Sequence, residues 1–353
     1  MFENVYKSEF LKHQAEIEKN YGVKEKQLLT NDSVEGLFQA NALERIDAIV
    51  KKPLYRFFWY QDMPVLYGGG ALEHASYFRM NFSTQPMTGQ VASGQANVGQ
   101  LVRVQVEKTI TRVKPFWWVI AMGWVDQLKF GQINFDIWSL FDEGVRKHYN
   151  KLLDEVAFFG FPEVADSYGL VNNPAITSVD FDDAADGITD GTAWEDATTL
   201  ELFNVLNSQI IDMISDMEFD GRFAPNHIIL PIEMFNYLAQ PVVIGSPTGT
   251  AVATSALEYL EKNLASNYAG YGNSVKFFPN RYLTGAGDNS AGRIVITHFD
   301  QEVYRMPLPM DLTRGATVFN PTAMETQAPY VCFVGEPQFI YKKAIRYIDN
   351  LGE

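Results

Sequence analysis

The stretch that decides the fold is residues 134–162, NFDIWSLFDEGVRKHYNKLLDEVAFFGFP. Large apolar side chains recur in it at steps of three and four residues, which is the spacing of one face of an α-helix. They are Ile137, Trp138, Phe141, Val145, Tyr149, Leu152 and Val156. Asn134 can cap the helix start, and Gly160 followed by Pro162 gives a strong stop signal. The pattern predicts one helix over residues 134–159, roughly 40 Å long at about 1.5 Å per residue.

Upstream of this helix, the chain predicts a long hairpin with an uncharged tip. Residues 102–107 alternate valine with Arg, Gln and Glu, which is the period of a strand with one solvated face. Residues 77–82 form a shorter run of strand character. Between the two runs lie residues 84–100, TQPMTGQVASGQANVGQ, which exceed the roughly 12 to 15 residues beyond which loops are usually functional or disordered. By itself this tip fits either an ordinary surface loop or an arm that orders on a neighbouring subunit.

Two amphipathic segments precede the hairpin. Residues 2–20 carry apolar side chains at helical spacing among many charges, and they predict an N-terminal arm. Residues 34–50 predict a second helix that stops before Pro53, since proline cannot continue a helix. Glycines at 68–70 then separate this region from the hairpin.

From about residue 198 onward, helices alternate with strands. Thr198 with Glu201, and Ser255 with Glu258, match the capping box, in which a hydroxyl and a carboxylate satisfy free amides at a helix start. The predicted helices span residues 199–217, 231–239 and 255–265. The predicted strands span residues 227–230, 274–279, 292–299 and 302–308, with returning strands at 330–334 and 338–348. This alternation predicts an α/β unit within a mixed fold.

Composition restricts the class of protein. Of 353 residues, 46% are hydrophobic, which supports a large core. The longest apolar run, residues 116–125, is about half of the ~20 residues that cross a bilayer, and the N-terminus lacks the apolar core of a signal peptide. The net charge of -15 argues against a protein that grips nucleic acid, and the single cysteine, Cys332, excludes disulfide frameworks and cysteine zinc sites. We expect a soluble, non-secreted protein with no membrane partner and a buried thiol.

Motifs for nucleotide chemistry are incomplete. Residues 287–292 have the glycine spacing of a phosphate-binding loop, but they lack its Lys and Ser/Thr. Gly285 and Gly287 lack the third glycine of a dinucleotide fingerprint. Both patterns favour a tight turn between Leu283 and Ile294.

The acidic segment 178–196 is the strongest candidate for a metal site. Four of its residues occupy positions one, five, six and nine of a calcium loop: Asp182, Asp186, Gly187 and Asp190. Ala184 and Ala193 stand where two further ligands belong. A solvated acidic connector is therefore the favoured interpretation, and cation binding stays open.

The histidines are further candidates for catalytic or metal-binding residues. They are His13, His74, His148, His227 and His298, and they show no His-Glu-x-x-His spacing. We read each as a surface or structural histidine. We assign no catalytic residue, no cofactor-binding residue and no metal ligand, which favours an assembly protein over an enzyme.

Two segments resemble a known family. They are QANALERIDAIVKKPLYRFFWYQDMPV at residues 39–65 and LLDEVAFFGFPEVADSYGLVNNPAIT at residues 152–177. In the second, the long helix ends in a glycine and is followed by the turn Gly169, Leu170, x, Asn172. Together with the order of elements, these segments resemble the major capsid proteins of tailed bacteriophages, whose Hong Kong 97-like fold is shared with encapsulins.

The resemblance implies an α+β fold divided into named parts. These are an N-terminal arm (1–54), a segment leading into the peripheral domain (55–73), an extended hairpin loop (74–118), a peripheral domain with a spine helix (119–180, helix 134–159), an axial domain (181–312) and peripheral return strands (313–353).

The resemblance also implies a function. The chain would self-assemble through hexamers and pentamers into the icosahedral shell that encloses double-stranded DNA, without binding it tightly. A separate scaffolding protein, a portal and a decoration protein are candidate partners, and the virion, with the host cytoplasm during assembly, is the expected location. The tip has no lysine, which argues against a Lys–Asn cross-link there. Two alternatives are an encapsulin-like compartment holding enzyme cargo and an α/β enzyme with an unrecognised site.

Overall fold

The computed structural model describes residues 55–83, 103–132, 137–181, 199–216, 223–244, 252–264, 274–287 and 291–349. Among them the α-helices are α1 Trp59–Asp62, α2 Trp124–Gln132, α3 Ile137–Phe159, α4 Thr199–Asp216, α5 Ile232–Leu238 and α6 Ala256–Asn263. The first strands are β1 Val65–Tyr67, β2 His74–Ser83, β3 Arg103–Gly123, β4 Thr177–Asp180, β5 His227–Leu230, β6 Pro241–Ile244, β7 Val252–Ser255 and β8 Lys276–Pro279. The remaining strands are β9 Ile294–Thr297, β10 Tyr304–Leu308, β11 Met310–Arg314, β12 Val318–Asn320, β13 Glu325–Gly335, β14 Gln338–Phe339 and β15 Ile345–Asp349.

Helix α3 is the long helix that the sequence predicts. The proposed cap, Asn134, lies outside the described residues, as do the predicted arm 2–20 and helix 34–50. The fully buried apolar side chains of its second half are Leu153, Val156, Ala157 and Phe158, whereas Leu152 is only partly buried. The sequence pattern places Leu152 in the buried stripe, three residues after Tyr149. In the structure the stripe instead contains Leu153, four residues after Tyr149.

A five-stranded sheet separates two hydrophobic cores. Its strand order is β4-β15-β9-β5-β8, with both parallel and antiparallel neighbours. In β5, β9 and β15, odd-numbered positions such as Ile229, Val295 and Tyr347 join the core that contains α3. Even-numbered positions, among them Ile228, Ile294 and Ile348, join a second core. Since successive side chains point to opposite faces, the interior strands β5 and β9 are largely apolar and buried at every position, as strands covered on both faces are.

Helices α4, α5 and α6 build the second core. Leu202, Leu206 and Met213 of α4 are buried there beside Met234 of α5 and Leu260 of α6. At the start of α6, the Ser255 hydroxyl accepts from the Glu258 amide at 3.2 Å, as the capping box predicts. The Glu258 carboxylate instead pairs with Lys262 Nζ at 2.6 Å, one helical turn ahead.

Strands from residues 65–123 and 304–339 combine into two further sheets. One has the order β11-β13-β3-β2, with β12 also pairing with β13, and the other has the order β1-β10-β14. The single return strand predicted over 338–348 is divided into β14 and β15 by the 3₁₀ turn Lys342–Ala344. The mixture of helices and sheets confirms the predicted α+β class.

Partly buried and exposed polar bonds tie helix α3 to the β11-β13-β3-β2 sheet. The Tyr149 hydroxyl donates to Asp311 Oδ1 at 2.7 Å, and burial together with this bond raises the pKa of the hydroxyl. The Tyr330 hydroxyl donates to Asp142, which also pairs with Arg314 at 2.9 Å. The long helix and the sheet therefore form one body.

The described residues divide into two compact units. The smaller comprises Tyr55, residues 122–132, Ile137 and Asn320–Thr326, and the larger comprises the rest. Within the smaller unit, the Trp124 amide donates to the Met324 carbonyl at 2.9 Å. No helix within the described ranges is long and apolar enough to cross a membrane.

Candidate assembly surface

The hairpin predicted from the alternating pattern is formed by β2 and β3. They pair antiparallel in unbroken register from His74↔Arg112 to Ser83↔Arg103. The tip, residues 84–102, lies outside the described residues. Because directly paired residues share a face, Phe78 and Met80 lie on the same face as Val106. One face of the hairpin is consequently largely apolar, with Lys108 paired opposite Phe78, and the other carries polar residues such as Arg79 and Glu107.

The apolar face is exposed over its whole described length. We call it the hairpin face, and its members are Phe78, Met80, Val104, Val106 and Ile110, which are between 52% and 66% exposed. Soluble monomers rarely leave several large apolar side chains contiguous and open to water. The sequence pattern anticipated one solvated face, but the structure exposes the apolar face too, since no described segment covers it.

A second exposed apolar surface lies at the base of the same strand. Phe116 and Trp118 pack against the core, and Trp118 contacts Tyr149 edge-on at 6.5 Å. The alternate residues Trp117 and Val119 point to the opposite side and are 72% and 42% exposed. We call this pair the Trp117 surface. As an apolar run, residues 116–125 do not predict this surface, although the alternation of large side chains along a strand is a signal for it.

Polar bonds fix the hairpin where it leaves the body. Gln338 Nε2 donates to Thr111 Oγ1 at 2.7 Å, and Thr111 Oγ1 donates to the Ala75 carbonyl at 2.9 Å. The Tyr77 hydroxyl reaches the Phe339 carbonyl at 3.4 Å. These contacts set the direction of the hairpin while leaving its apolar face free.

The turn after α3 positions the helix from its other end. Gly160 ends the helix at φ 78°, and its amide donates to the Val156 carbonyl at 2.9 Å. The next three carbonyls accept from Leu170 N at 2.9 Å, Val171 N at 3.1 Å and Asn172 Nδ2 at 3.0 Å. Asn172 Oδ1 also accepts from the Gly169 amide at 2.7 Å. The Gly-Leu-x-Asn motif is therefore a cap that satisfies carbonyls an isolated helix would leave unpaired.

Gly169 of this cap admits no side chain. A Cβ at this position would lie 2.1 Å from the Phe158 carbonyl carbon. The close backbone approach explains why glycine opens the motif. An ion pair supports the same turn, since Arg293 donates to the Val171 carbonyl and to both oxygens of Asp349, at 2.5 and 2.7 Å for the latter.

Main-chain hydrogen bonds join the described ends of the near-miss nucleotide motifs, whose residues 288–290 lie outside the described residues. The Arg293 amide donates to the Leu283 carbonyl at 3.1 Å, and the Gly287 amide donates to the Ala291 carbonyl at 2.8 Å. These bonds close the chain between Leu283 and Ile294.

The other sequence candidates do not converge on a site. Asp182, Asp186, Gly187 and Asp190 lie outside the described residues, as does His13. His74 stands in the hairpin, His148 lies beside Trp118, and His227 and His298 are buried. Within the described ranges, no group of three or more His, Cys, Asp or Glu side chains could hold a metal ion. Cys332 is buried, and burial raises the pKa of its thiol to about 12.

A cavity of about 530 Å³ lies in the larger unit, beside α1. Its lining includes Trp59, Tyr60, Tyr67, Phe299 and Asp300. No constellation of nucleophile, base and oxyanion donors accompanies it in the described part of the chain. The hairpin face and the Trp117 surface are therefore candidates for contact with a partner, because they expose large apolar side chains to water.

Comparison with known proteins points the same way. The model of a family described as major capsid protein matches residues 88–351, which is more than half of the chain. No curated protein matches the chain by sequence.

Solved phage and particle capsids resemble the whole structure. The capsid of Myoviridae phage XM1 gives a TM-score of 0.67 at 14% identity, covering 87% of this chain and 96% of that one. The capsid of a native GTA particle gives a TM-score of 0.55 at 12% identity, covering 90% of this chain and 98% of that one. A chain of Mycobacterium phage Adephagia gives a TM-score of 0.54 at 11% identity, covering 90% of this chain and 97% of that one. At these identities, the likeness establishes the fold.

Proposed function

We propose, on the premise that this chain belongs to the major capsid protein family, that its subunits join by laying the hairpin face of one copy on the Trp117 surface of the next. As a member of that family, the chain is a phage head protein that forms the capsid shell of the virion. The family match favours this function over an encapsulin-like compartment and over an enzyme.

The observation that carries the proposal is that both exposed apolar surfaces belong to one strand. Ile110 of the hairpin face and Trp117 are both residues of β3, Arg103–Gly123. At about 3.3 Å per residue, a continuous strand holds them roughly 23 Å apart. The two surfaces cannot fold onto each other within one subunit, so we infer that a second copy covers them.

Contact between two different surfaces has a consequence for symmetry. A surface that pairs with itself gives a closed dimer, whereas a surface that pairs with a different one can continue from copy to copy and close into a ring. Rings of five and six subunits meet the requirement of an icosahedral shell. We therefore assign residues 74–118 as the extended loop that overlaps a neighbour, and residues 181–312 as the axial domain around the ring axis.

The charge of the chain suits a container for DNA. A net charge of -15 gives weak affinity for phosphate, so packaged double-stranded DNA would be enclosed without adhering. Hexamers and pentamers of this chain, a separate scaffolding protein, a portal and a decoration protein complete the proposed set of partners. Assembly would take place in the host cytoplasm, and the chain would have no enzymatic role.

The test compares substitutions on the two faces of the hairpin. Val106→Ser weakens the hairpin face, and Trp117→Ser removes the centre of the surface proposed to receive it. Glu107→Ser is the matched control, because Glu107 neighbours Val106 on the polar face and is equally open to water. We expect the control to give closed shells in electron micrographs, and both test variants to remain as subunits or open fragments.

Disulfide trapping then locates the contact. Cysteines replacing Phe78, Met80 or Val106, each combined with Trp117→Cys, should form disulfide-linked oligomers in assembled particles, against the background of a buried Cys332. Closed shells from Val106→Ser and Trp117→Ser, together with no cross-link from any of the three pairs, would refute the proposed contact. A protein that stays monomeric under all assembly conditions would contradict the shell function itself.

A further inference from the structure

Helix α1 depends on a carboxylate from another element for its start. Trp59–Asp62 has no capping side chain of its own. The amides of Phe58 and Trp59 instead donate to Asp154 Oδ1 of α3, at 2.9 and 2.7 Å. An acceptor oxygen in this position satisfies two amides at the helix start that have no partner within the helix.

The other end of α1 is held by a second buried carboxylate. Asp62 Oδ2 accepts from Asn280 Nδ2 at 2.6 Å, and Asp62 Oδ1 lies 3.2 Å from His227 Nε2. The Asp62 carbonyl also accepts from the Tyr304 hydroxyl at 2.9 Å. Residues 58–63 are thereby fastened to α3 on one side and to β5 and the turn after β8 on the other.

Asp154 is an unusual member of this arrangement, because half of its carboxylate is unsatisfied. Its side chain is fully buried, and within the described residues Oδ2 has no hydrogen-bond partner. A buried charge that lacks partners is costly, and a titratable group in that position tends to be neutral.

Charged and titratable groups approach Asp154 from every side. Asp62 on α1 opposes ionisation of Asp154, and Arg281 in the turn after β8 favours it. Tyr282 lies in the same turn, Glu155 is next along α3, and His227 stands beyond Asp62. Burial is the largest influence, and it raises the pKa of Asp154 to about 6 against the opposing effect of the Phe58 and Trp59 amides.

We propose that Asp154 is a proton-operated latch on residues 58–63. The protonated carboxyl keeps the segment closed on α3. The ionised form, with one oxygen buried and unpaired, favours release of the segment into water.

The direction of the pH effect follows from linkage. Opening exposes Asp154 and returns its pKa toward the ordinary value of 3.8, so the open form holds its proton less tightly. The open fraction therefore rises with pH between about 4 and 6. A difference of about two pH units corresponds to a change of about 100-fold in the opening equilibrium.

Amide hydrogen exchange of the unassembled subunit tests the latch, so the result does not depend on shell formation. We expect the protection factors of the Phe58 and Trp59 amides, which exclude the intrinsic pH dependence of exchange, to fall about 100-fold from pH 4 to pH 7. In Asp154→Asn, which keeps an oxygen acceptor but cannot ionise, they should be nearly constant. Glu155→Gln is the matched control on the same helix and should behave like the unsubstituted protein.

A second variant keeps the test decisive if Asp154→Asn does not fold. Asp62→Asn removes the neighbouring negative charge, and it should lower the pH at which protection declines. Protection that is independent of pH in the unsubstituted protein, or an identical decline in Asp154→Asn, would overturn the proposal.

Discussion

The end of the long helix and the hairpin differ in how many of their groups find a partner within the same subunit. At residues 160–172, four successive carbonyls of α3 find donors within the same chain, and Gly169 packs too tightly for any side chain. On the hairpin, five large apolar side chains remain more than half exposed. The helix end is specified from within the subunit, whereas the hairpin face needs another molecule.

This difference separates two kinds of pattern within one sequence: those that determine the subunit fold and those that determine contacts between subunits. Substitutions at the helix end should damage folding whether or not the subunit assembles. Substitutions on the hairpin should leave the isolated subunit nearly unchanged. Four predictions test that contrast, in descending order of their effect on subunit stability.

The largest effect is expected at Gly169. A Cβ placed 2.1 Å from the Phe158 carbonyl carbon must push the cap away from the helix, so Gly169→Ala should lower the free energy of unfolding by about 4 kcal/mol or more. Gly144, in the middle of α3, is the matched control, because a Cβ there meets nothing within 4 Å. Gly144→Ala should stabilise by about 0.5 to 1 kcal/mol, and equal melting temperatures for the two variants would contradict the close-packing argument.

The next effect concerns two adjacent leucines of α3. Leu153 is completely buried, whereas Leu152 is only partly buried. Leu153→Ala should cost about 2 to 5 kcal/mol and Leu152→Ala clearly less, as measured by chemical denaturation of the subunit. A larger loss in Leu152→Ala would show that the buried stripe follows the sequence prediction rather than the structure.

A third effect depends on pH and arises from Asp154. Because its folded-state pKa is raised to about 6, the folded protein holds this proton more tightly than the unfolded chain. The stabilisation is complete at low pH and is lost as pH rises from about 4 through 6. Relative to Asp154→Asn, the unsubstituted protein should lose about 2 to 3 kcal/mol of stability over that range in melts at stepwise pH. A difference between the two proteins that does not change with pH would contradict the assignment.

The smallest effect on the subunit is expected from shortening the hairpin tip. Replacing residues 87–98 by Asn-Gly leaves β2 and β3 intact and supplies a turn compatible with paired strands. The melting temperature of the soluble subunit should stay within the change expected from about 0.5 kcal/mol, while assembly stops before closed shells. Normal shells from this variant would mean that the tip is a tolerated surface loop.

The elements that sequence reasoning located are those with local signals. The period of residues 137–159, the stop at Gly160 and the hydroxyl of Ser255 all act within a few residues, and the structure has each of them. The division of the predicted strand 338–348 by a 3₁₀ turn has no comparable local signal. The offset from Leu152 to Leu153 likewise depends on which side of α3 the sheet covers, which is a tertiary property.

The candidate surface was only partly predictable for a related reason. Alternation at residues 102–107 predicted a strand, but exposure of both its faces depends on what the rest of the chain leaves uncovered. The same holds for Asp62, His227 and Asn280, which come from three distant segments and meet only in the folded protein. Because each of these residues stands alone in its own segment, no local sequence pattern predicts that they will form a buried network.

The strand order of the central sheet has a consequence for how the chain reaches its folded state. β15 pairs with β4 and β9, so Arg346 meets Thr177 and Ile296, whereas the hairpin joins strands that follow each other directly. Pairing between distant segments is slow because long loops must close first, but local hairpins form within about 1 to 10 μs. Newly synthesised chains should therefore display the adhesive hairpin face before the body that carries it is complete. During rapid synthesis such chains are exposed to aggregation, and molecular chaperones that bind apolar segments would be expected to raise the yield of competent subunits.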